Sequence, residues 1–392
     1  MAEPATHPPS GSPSRSARDA LTRDRTWPAL DGMRAIAVLA VLTFHAAYPK
    51  FLKGGYVGVD IFFVLSGFLI TWLLTSEHDQ LGSVSYGKFY ARRALRLFPA
   101  LYALIIVAVV LVLADGGLSG ARHETLVGIP WVFFYIGNWD IAFSSYNIVV
   151  LGLLSITWTL AIEEQYYLLW PLGLTTLLKR MNHQRIAVLL VVVALVEQVG
   201  RSVLDLSNNA HLYTWLDKST LSHSDGLLIG SAFALMYTAR DQWKLWPAIQ
   251  RRANELAVIG AVVLAVVIVA GKPLVHTAAL WVTVAVYGSL LLLAGIIGRP
   301  SAWPSRVLEW WPLQWIGKRS YGIYLWHFTV IVVVLSMQSH LPVHHRAFIR
   351  FVIDVVVSLV VAGVSYEVIE RPFLRRKVRF ARVHPGDRAP AT

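Results

Sequence analysis

Ten stretches of this sequence, at about 28–48, 55–76, 97–114, 156–178, 186–204, 223–239, 256–271, 277–297, 320–338 and 348–368, are apolar and close to twenty residues long. A run of that length crosses the hydrocarbon of a bilayer as a helix. Hydrocarbon offers no partner to a bare N–H or C=O, so each segment must bond its own backbone, and a helix does. The chain is read as all-α: a polytopic membrane bundle of about ten transmembrane helices. An eleventh apolar piece, Leu126 to Trp139, is only about fourteen residues long, which suits a re-entrant or interfacial segment better than a crossing. At 56% hydrophobic, the 392 residues are too apolar for one soluble domain.

The placement of Lys and Arg sets the orientation. If Leu126 to Trp139 does not cross and the N-terminus is cytoplasmic, 26 Lys and Arg lie inside and 8 outside. If it does cross, every later loop flips and the split becomes 13 inside and 21 outside. The first arrangement obeys the positive-inside rule, so both termini are expected in the cytoplasm of a multi-pass plasma-membrane protein. Residues 1–27, rich in Pro, Ser, Arg and Ala with no apolar core or cleavage site, read as a disordered cytoplasmic tail. Residues 28–373 form the transmembrane domain and 374–392 a basic cytoplasmic tail. No internal repeat, linker or second domain is visible.

With no cysteine, the chain has no disulfide, no thiolate metal site and no Cys nucleophile. Its basic residues are dispersed over the loops of one membrane face, which is no footprint for nucleic acid. No metal is implied: no His pair is closely spaced within a span, and His344-His345 belongs to a loop.

The ionisable residues inside the spans carry the functional signal, because a charge in hydrocarbon costs several kcal/mol and is kept only with a partner or a task. Arg34 and His45 are eleven residues apart in the first span. At 100° per residue that is about 20° beyond three full turns, so they share a face roughly 16 Å apart. By topology His45, Asp60, Glu163 or Glu164, and Asp225 share the outer leaflet. A His beside a carboxylate is what a general base needs, since the carboxylate fixes the tautomer and steadies the imidazolium. On the opposite side Arg92, Arg93 and Arg96 mark the start of the third span. Arg93 and Arg96 are one turn apart, a pair that fits phosphates and equally fits lipid headgroups or simple orientation. His327 serves equally as a bonded core residue or a functional group.

The R-x10-H pair followed by GGYVGVDIFFVLSGFLI resembles the opening of the acyltransferase-3 family of integral membrane O-acyltransferases. Further segments are similar to that family's blocks: Trp158-Thr159-Leu160 with Glu163-Glu164-Gln165-Tyr166-Tyr167, Ser320-Tyr321 with Tyr324-Leu325-Trp326-His327, and Tyr366 with Glu370-Arg371-Pro372-Phe373. By itself the last Glu-Arg pair reads as a helix-end ion pair. One position departs: the family often begins its sixth span R-x-D, and here His223 precedes Asp225, a weaker and titratable cation that bears on the acceptor class.

The resemblance implies transfer of an acyl group, acetyl above all, from cytoplasmic acyl-CoA, a co-substrate and not a permanent cofactor. The acceptor would be a hydroxyl on a glycan, a lipid-linked sugar or a small secondary metabolite. Arg93 and Arg96, with Arg92, would hold the CoA phosphates, and Arg34 the donor or the charge developing at its thioester. His45, oriented by Asp60 or Glu163, would be the base. Asp225, Glu164, Tyr324 and His327 are the candidates for acceptor contact, and membrane lipid is the remaining partner. Direct attack is simpler than a covalent acyl-enzyme, because no Ser has an adjacent base in sequence. Ser66 is the one candidate, and beside Gly67 it reads as a close-packing residue. The rival class is a transporter using the same His and carboxylates as a proton or substrate pathway. The expected inverted repeats and paired broken helices are missing from the sequence, and release of free CoA would discriminate.

Overall fold

A computed structural model describes residues 27–47, 52–114, 116–143, 151–205, 210–272, 277–337 and 345–377. The expected tails lie outside the described residues, except Trp27 and 374–377, which belong to a short helix Arg371–Lys377. His344 is also outside them. The described residues form only helices and connections. We number the main helices α1 (Pro28–His45), α2 (Gly58–Leu81), α3 (Tyr86–Ala114), α4 (Ser119–Phe133), α5 (Gly137–Phe143), α6 (Trp158–Leu178), α7 (His183–Asp205), α8 (Ala210–Lys218), α9 (Asp225–Thr238), α10 (Ala253–Ala270), α11 (Ala278–Gly298), α12 (Trp311–Lys318), α13 (Ser320–Ser336) and α14 (Arg346–Ser365).

Seven described helices are long and apolar enough to cross a membrane, and an eighth crossing is reached if α12 and α13, bent by 71° at Arg319, count as one. The other two expected spans, α6 and α9, are also helical: α6 carries Glu163 and Glu164, and α9 has only 14 residues. The short apolar piece is broken. α4 ends at Phe133, Tyr135 takes φ 54° and α5 begins at Gly137, so the chain turns there instead of running through. Gln165 of α6 pins the turn, donating to the Tyr135 carbonyl at 2.7 Å and to Asn138 Oδ1 at 2.9 Å.

α2 is the axis of the bundle. Its sequence is apolar on every side, as suits a helix surrounded by others, and 72% of its spanning window is buried. It meets α9 without side chains between them. A Cβ on Gly67 would lie 2.0 Å from the Leu227 carbonyl, and one on Gly230 2.1 Å from the Val64 carbonyl, so each helix uses a glycine to admit the other's backbone. Outer helices are inverted: on α7, Val192, Val196, Val199 and Val203 are exposed while Gln198 and Arg201 are buried. Lipid takes the apolar face and the protein keeps the polar one.

α3 begins at Tyr86, well before the apolar run at 97, so its arginines lie within the helix and not at its edge. Near α3, residues Tyr366–Glu370 form a wide π-helical turn, and Glu370 within it is 4% exposed. The expected Glu370–Arg371 ion pair is therefore not the one formed. Arg371 pairs one turn back with Glu367, which also takes Arg319 at 2.9 Å. At and before the start of α12, Trp303, Trp310 and Trp311 are 57–73% exposed.

Gly67→Ala forces a methyl against the Leu227 backbone and is expected to cost about 1–3 kcal/mol. Gly87→Ala, where a Cβ meets nothing within 4 Å, should not destabilise the protein. Thermal unfolding of both variants in detergent checks this, and equal melting temperatures would contradict the backbone contact.

Candidate functional site

A cavity of about 480 Å³ opens between α1, α2, α3, α6, α12 and α13. Four cations line it, Arg34, Arg93, Arg96 and Lys318, against two carboxylates, Asp31 and Glu163. The excess of positive charge suits an anionic guest. Arg34 lies one turn from Asp31 and donates to it at 3.1 Å. Arg93 and Arg96 reach the cavity together because i and i+3 share a helix face. The Arg93 guanidinium lies 4.7 Å from the centre of the Tyr167 ring, a cation–π contact that fixes its plane.

Arg92 points elsewhere. About 100° round the helix from Arg93, it lies 3.7 Å from Glu77 of α2 and does not line the cavity. Glu77 in turn accepts from the Ser85 N–H at 2.8 Å, so this pair closes the α2–α3 connection. The sequence grouped three arginines, and the structure puts two of them on the cavity.

Glu163 also lines the cavity. One of its oxygens accepts hydrogen bonds from Ser66 Oγ and from the Tyr167 hydroxyl. Glu164, on the next face of α6, does not line the cavity, and Tyr324 does. The Tyr324 hydroxyl meets Thr159 Oγ1 at 2.5 Å and the Ile156 carbonyl at 3.2 Å, which ties α13 to the start of α6.

His45 does not line the cavity, and the acid expected to orient it is elsewhere. Its partner is His327, fully buried on α13. The bonds fix both tautomers. His327 Nδ1 faces the carbonyls of Tyr324 (2.7 Å) and Ile323 (3.2 Å), so it donates, and Nε2 accepts. That Nε2 lies 3.3 Å from His45 Nδ1, which also donates to the Val41 carbonyl at 2.9 Å. His45 Nε2 is left as the lone-pair nitrogen, on a ring that is only partly buried. An imidazole, and not a carboxylate, therefore sets which nitrogen can take a proton.

Asp60 is occupied by the residue that departs from the family pattern. His223 Nε2 lies 3.1 Å from Asp60 Oδ1 and its Nδ1 lies 2.8 Å from the Asp217 carbonyl. Both ring nitrogens face acceptors, the pattern of a doubly protonated ring. Asp225 is fully buried and takes both arms of Arg201 from α7, at 3.1 and 2.9 Å, with Gln198 at 2.9 Å. A guanidinium thus faces Asp225 after all, supplied by a different helix. The single outer-leaflet site expected of His45, Asp60, Glu163 or Glu164, and Asp225 is resolved into three: a His–His pair, a buried ion-pair cluster, and a carboxylate on the cavity.

The acyltransferase-domain family model matches residues 27–367. The chain belongs to the acyltransferase-3 family. Among similar proteins are the peptidoglycan O-acetyltransferase OatA of Listeria monocytogenes, 30% identical over 359 residues, and the putative peptidoglycan O-acetyltransferase YrhL of Bacillus subtilis, 33% identical over 361. These alignments cover 88% and 89% of this chain and 55% of each relative. A putative O-acetyltransferase of Staphylococcus aureus is 30% identical over 377 residues, 92% of this chain and 59% of its own. The chain thus spans a little over half the length of the curated relatives it matches. No solved structure matches it.

Within this acyltransferase-3 chain, several cavity residues escaped the sequence reading. Lys318 and Asp31 were not singled out, and Tyr167 and Tyr321 appeared only within family-like blocks. Outside the cavity, Arg201 near the end of an apolar run is a signal the sequence did carry, since an arginine there is kept with a partner.

Asp225→Ala leaves the Arg201 guanidinium buried without its counter-ion, at an expected cost of about 3–5 kcal/mol. The double variant Arg201→Met/Asp225→Leu should recover most of that loss in thermal unfolding. Equal losses in the single and double variants would mean that packing, not charge, governs the cluster.

Proposed function

We propose that the chain moves an acetyl group from cytoplasmic acetyl-CoA to a hydroxyl of a glycan on the far side of the plasma membrane, with both termini in the cytoplasm. The observation that carries this reading is the cavity, with Arg93 and Arg96 side by side on its wall and Arg34 within it. Two guanidinium groups one turn apart suit the phosphates of CoA. Arg34, further along, is available to the carbonyl oxygen of the thioester as charge develops there. The names of the relatives, peptidoglycan O-acetyltransferases, support a glycan acceptor.

His45 is the general base in this reading. Its Nε2 takes the acceptor's proton, and the positive ring that results keeps its Nδ1–H on the neutral His327 Nε2 and the Val41 carbonyl. His327 acts as a positioning residue, holding the tautomer that leaves Nε2 open. Asp60, locked on His223, has a structural part, as does Asp225.

Purified protein given labelled acetyl-CoA and a peptidoglycan disaccharide should release free CoA and acetylate the sugar, which a transporter has no reason to do. His45→Ala should lower turnover by about 10²–10⁴-fold, the usual worth of a general base, while keeping its melting temperature. Arg93→Ala or Arg96→Ala should raise the KM for acetyl-CoA about 10–100-fold, from the loss of a charged hydrogen bond worth roughly 1.5–3 kcal/mol. Arg92→Ala should leave that KM unchanged. Wild-type turnover in His45→Ala, or equal effects at Arg92 and Arg93, would overturn the assignments.

A further inference from the structure

The proposed donor and base leave a gap. The cavity that would hold the thioester is lined by Arg34, Ser66 and Glu163, but not by His45. Tyr324 stands between, with its side chain on the cavity and its carbonyl on His327.

Ser66 differs from the other hydroxyls of the bundle. Thr43, Thr75, Ser202 and Ser289 each give their proton to the carbonyl one turn back on their own helix, which ties it up in local structure. Ser66 gives its proton to Glu163, a carboxylate 97 residues away on another helix. The same oxygen of Glu163 accepts from the Tyr167 hydroxyl, so a third group orients the pair. Ser66, Glu163 and Tyr167 all line the cavity. Another such pair among the described residues, Ser224 with Glu197 at 2.9 Å, lies outside it. A hydroxyl bonded to a base that is itself held by a further donor is the signature of an activated nucleophile.

We infer that Ser66 is a nucleophile that carries the acyl group, with Glu163 as its base, so that the reaction passes through an acyl-Ser66 ester. This rests on the donor assignment above and adds a covalent step to it. In the first half, Ser66 Oγ passes its proton to Glu163 and bonds to the thioester carbonyl carbon. Arg34, in the same cavity, faces the oxyanion. The carbon–sulfur bond breaks, the thiolate takes the proton from Glu163, and free CoA leaves. In the second half, His45 Nε2 takes the proton of the acceptor hydroxyl, whose oxygen bonds to the ester carbon as the bond to Ser66 Oγ breaks. Ser66 regains a proton through Glu163, which refills from cavity water, and His45 returns its proton to solvent. Each half-reaction thus has its own base, and in the second the acceptor hydroxyl lies between His45 Nε2 and the ester carbon.

The test is a burst experiment on the full chain in detergent, with labelled acetyl-CoA and no acceptor. Wild type should release CoA stoichiometric with protein, and mass spectrometry should place one acetyl group on Ser66. Ser66→Ala should show no burst and lose about 100-fold or more in transfer to a peptidoglycan disaccharide. Ser66→Cys guards against misfolding: it should take the label as a thioester, which neutral hydroxylamine removes. Glu163→Gln should slow the burst. His45→Ala should keep the burst but fail to pass the label on, which separates the two proposals. A Ser66→Ala protein within about threefold of wild-type transfer overturns the covalent step and leaves His45 untouched. So does a wild type that acetylates the disaccharide without a burst.

Discussion

One constraint runs through this bundle: a charge inside hydrocarbon is costly and is held down by a counter-charge or by hydrogen bonds. Asp225 is met by both arms of Arg201, Asp60 by His223, and Arg34 by Asp31. These pairs join α7 to α9, the axis helix α2 to the loop before α9, and the first turn of α1 to itself. Once those are counted, the ionisable groups on the cavity stand out. Arg93 is held by an aromatic ring, and Glu163 by two hydroxyls, Ser66 and Tyr167. Partners of that kind steady a side chain and fix where it points along the cavity wall.

Close backbone contact is what puts the groups in place. Gly67 and Gly230 let α2 and α9 touch, and this draws Asp60 and His223 into reach. Gly67 also follows Ser66 directly, so the face of α2 that packs on α9 and the hydroxyl on the cavity are neighbouring positions of one turn. The close approach to α9 is made at Gly67, while Ser66 lines the cavity and bonds Glu163.

The all-α membrane-bundle class, the interruption at the short apolar segment and most of the ionisable residues inside the spans were legible in the sequence, because spans are long apolar runs and intramembrane charges are rare. Pairing was not. Depth along the membrane normal follows from position in a span, and it placed His45, Asp60 and Asp225 at one level. Which of them meet depends on the rotation of each helix about its axis and on which helices are neighbours. No local pattern records either. Hence His45 meets His327, 282 residues away, while Asp60 meets a residue that looked like a mere departure from the family pattern. The three arginines show the limit on a smaller scale. Spacing paired Arg93 with Arg96, but only the course of α2 shows that Arg92 is taken by Glu77.

The tryptophans at 303, 310 and 311 are exposed at and just before the start of α12, whose Gln314 and Lys318 form part of the cavity wall. Indole rings settle at the boundary between headgroups and acyl chains. Rings at that boundary would hold the level of the bilayer beside the stretch of cavity wall that α12 supplies. A bilayer of another thickness would raise or lower that level relative to Lys318, so the surrounding lipid becomes a part of how the site is filled.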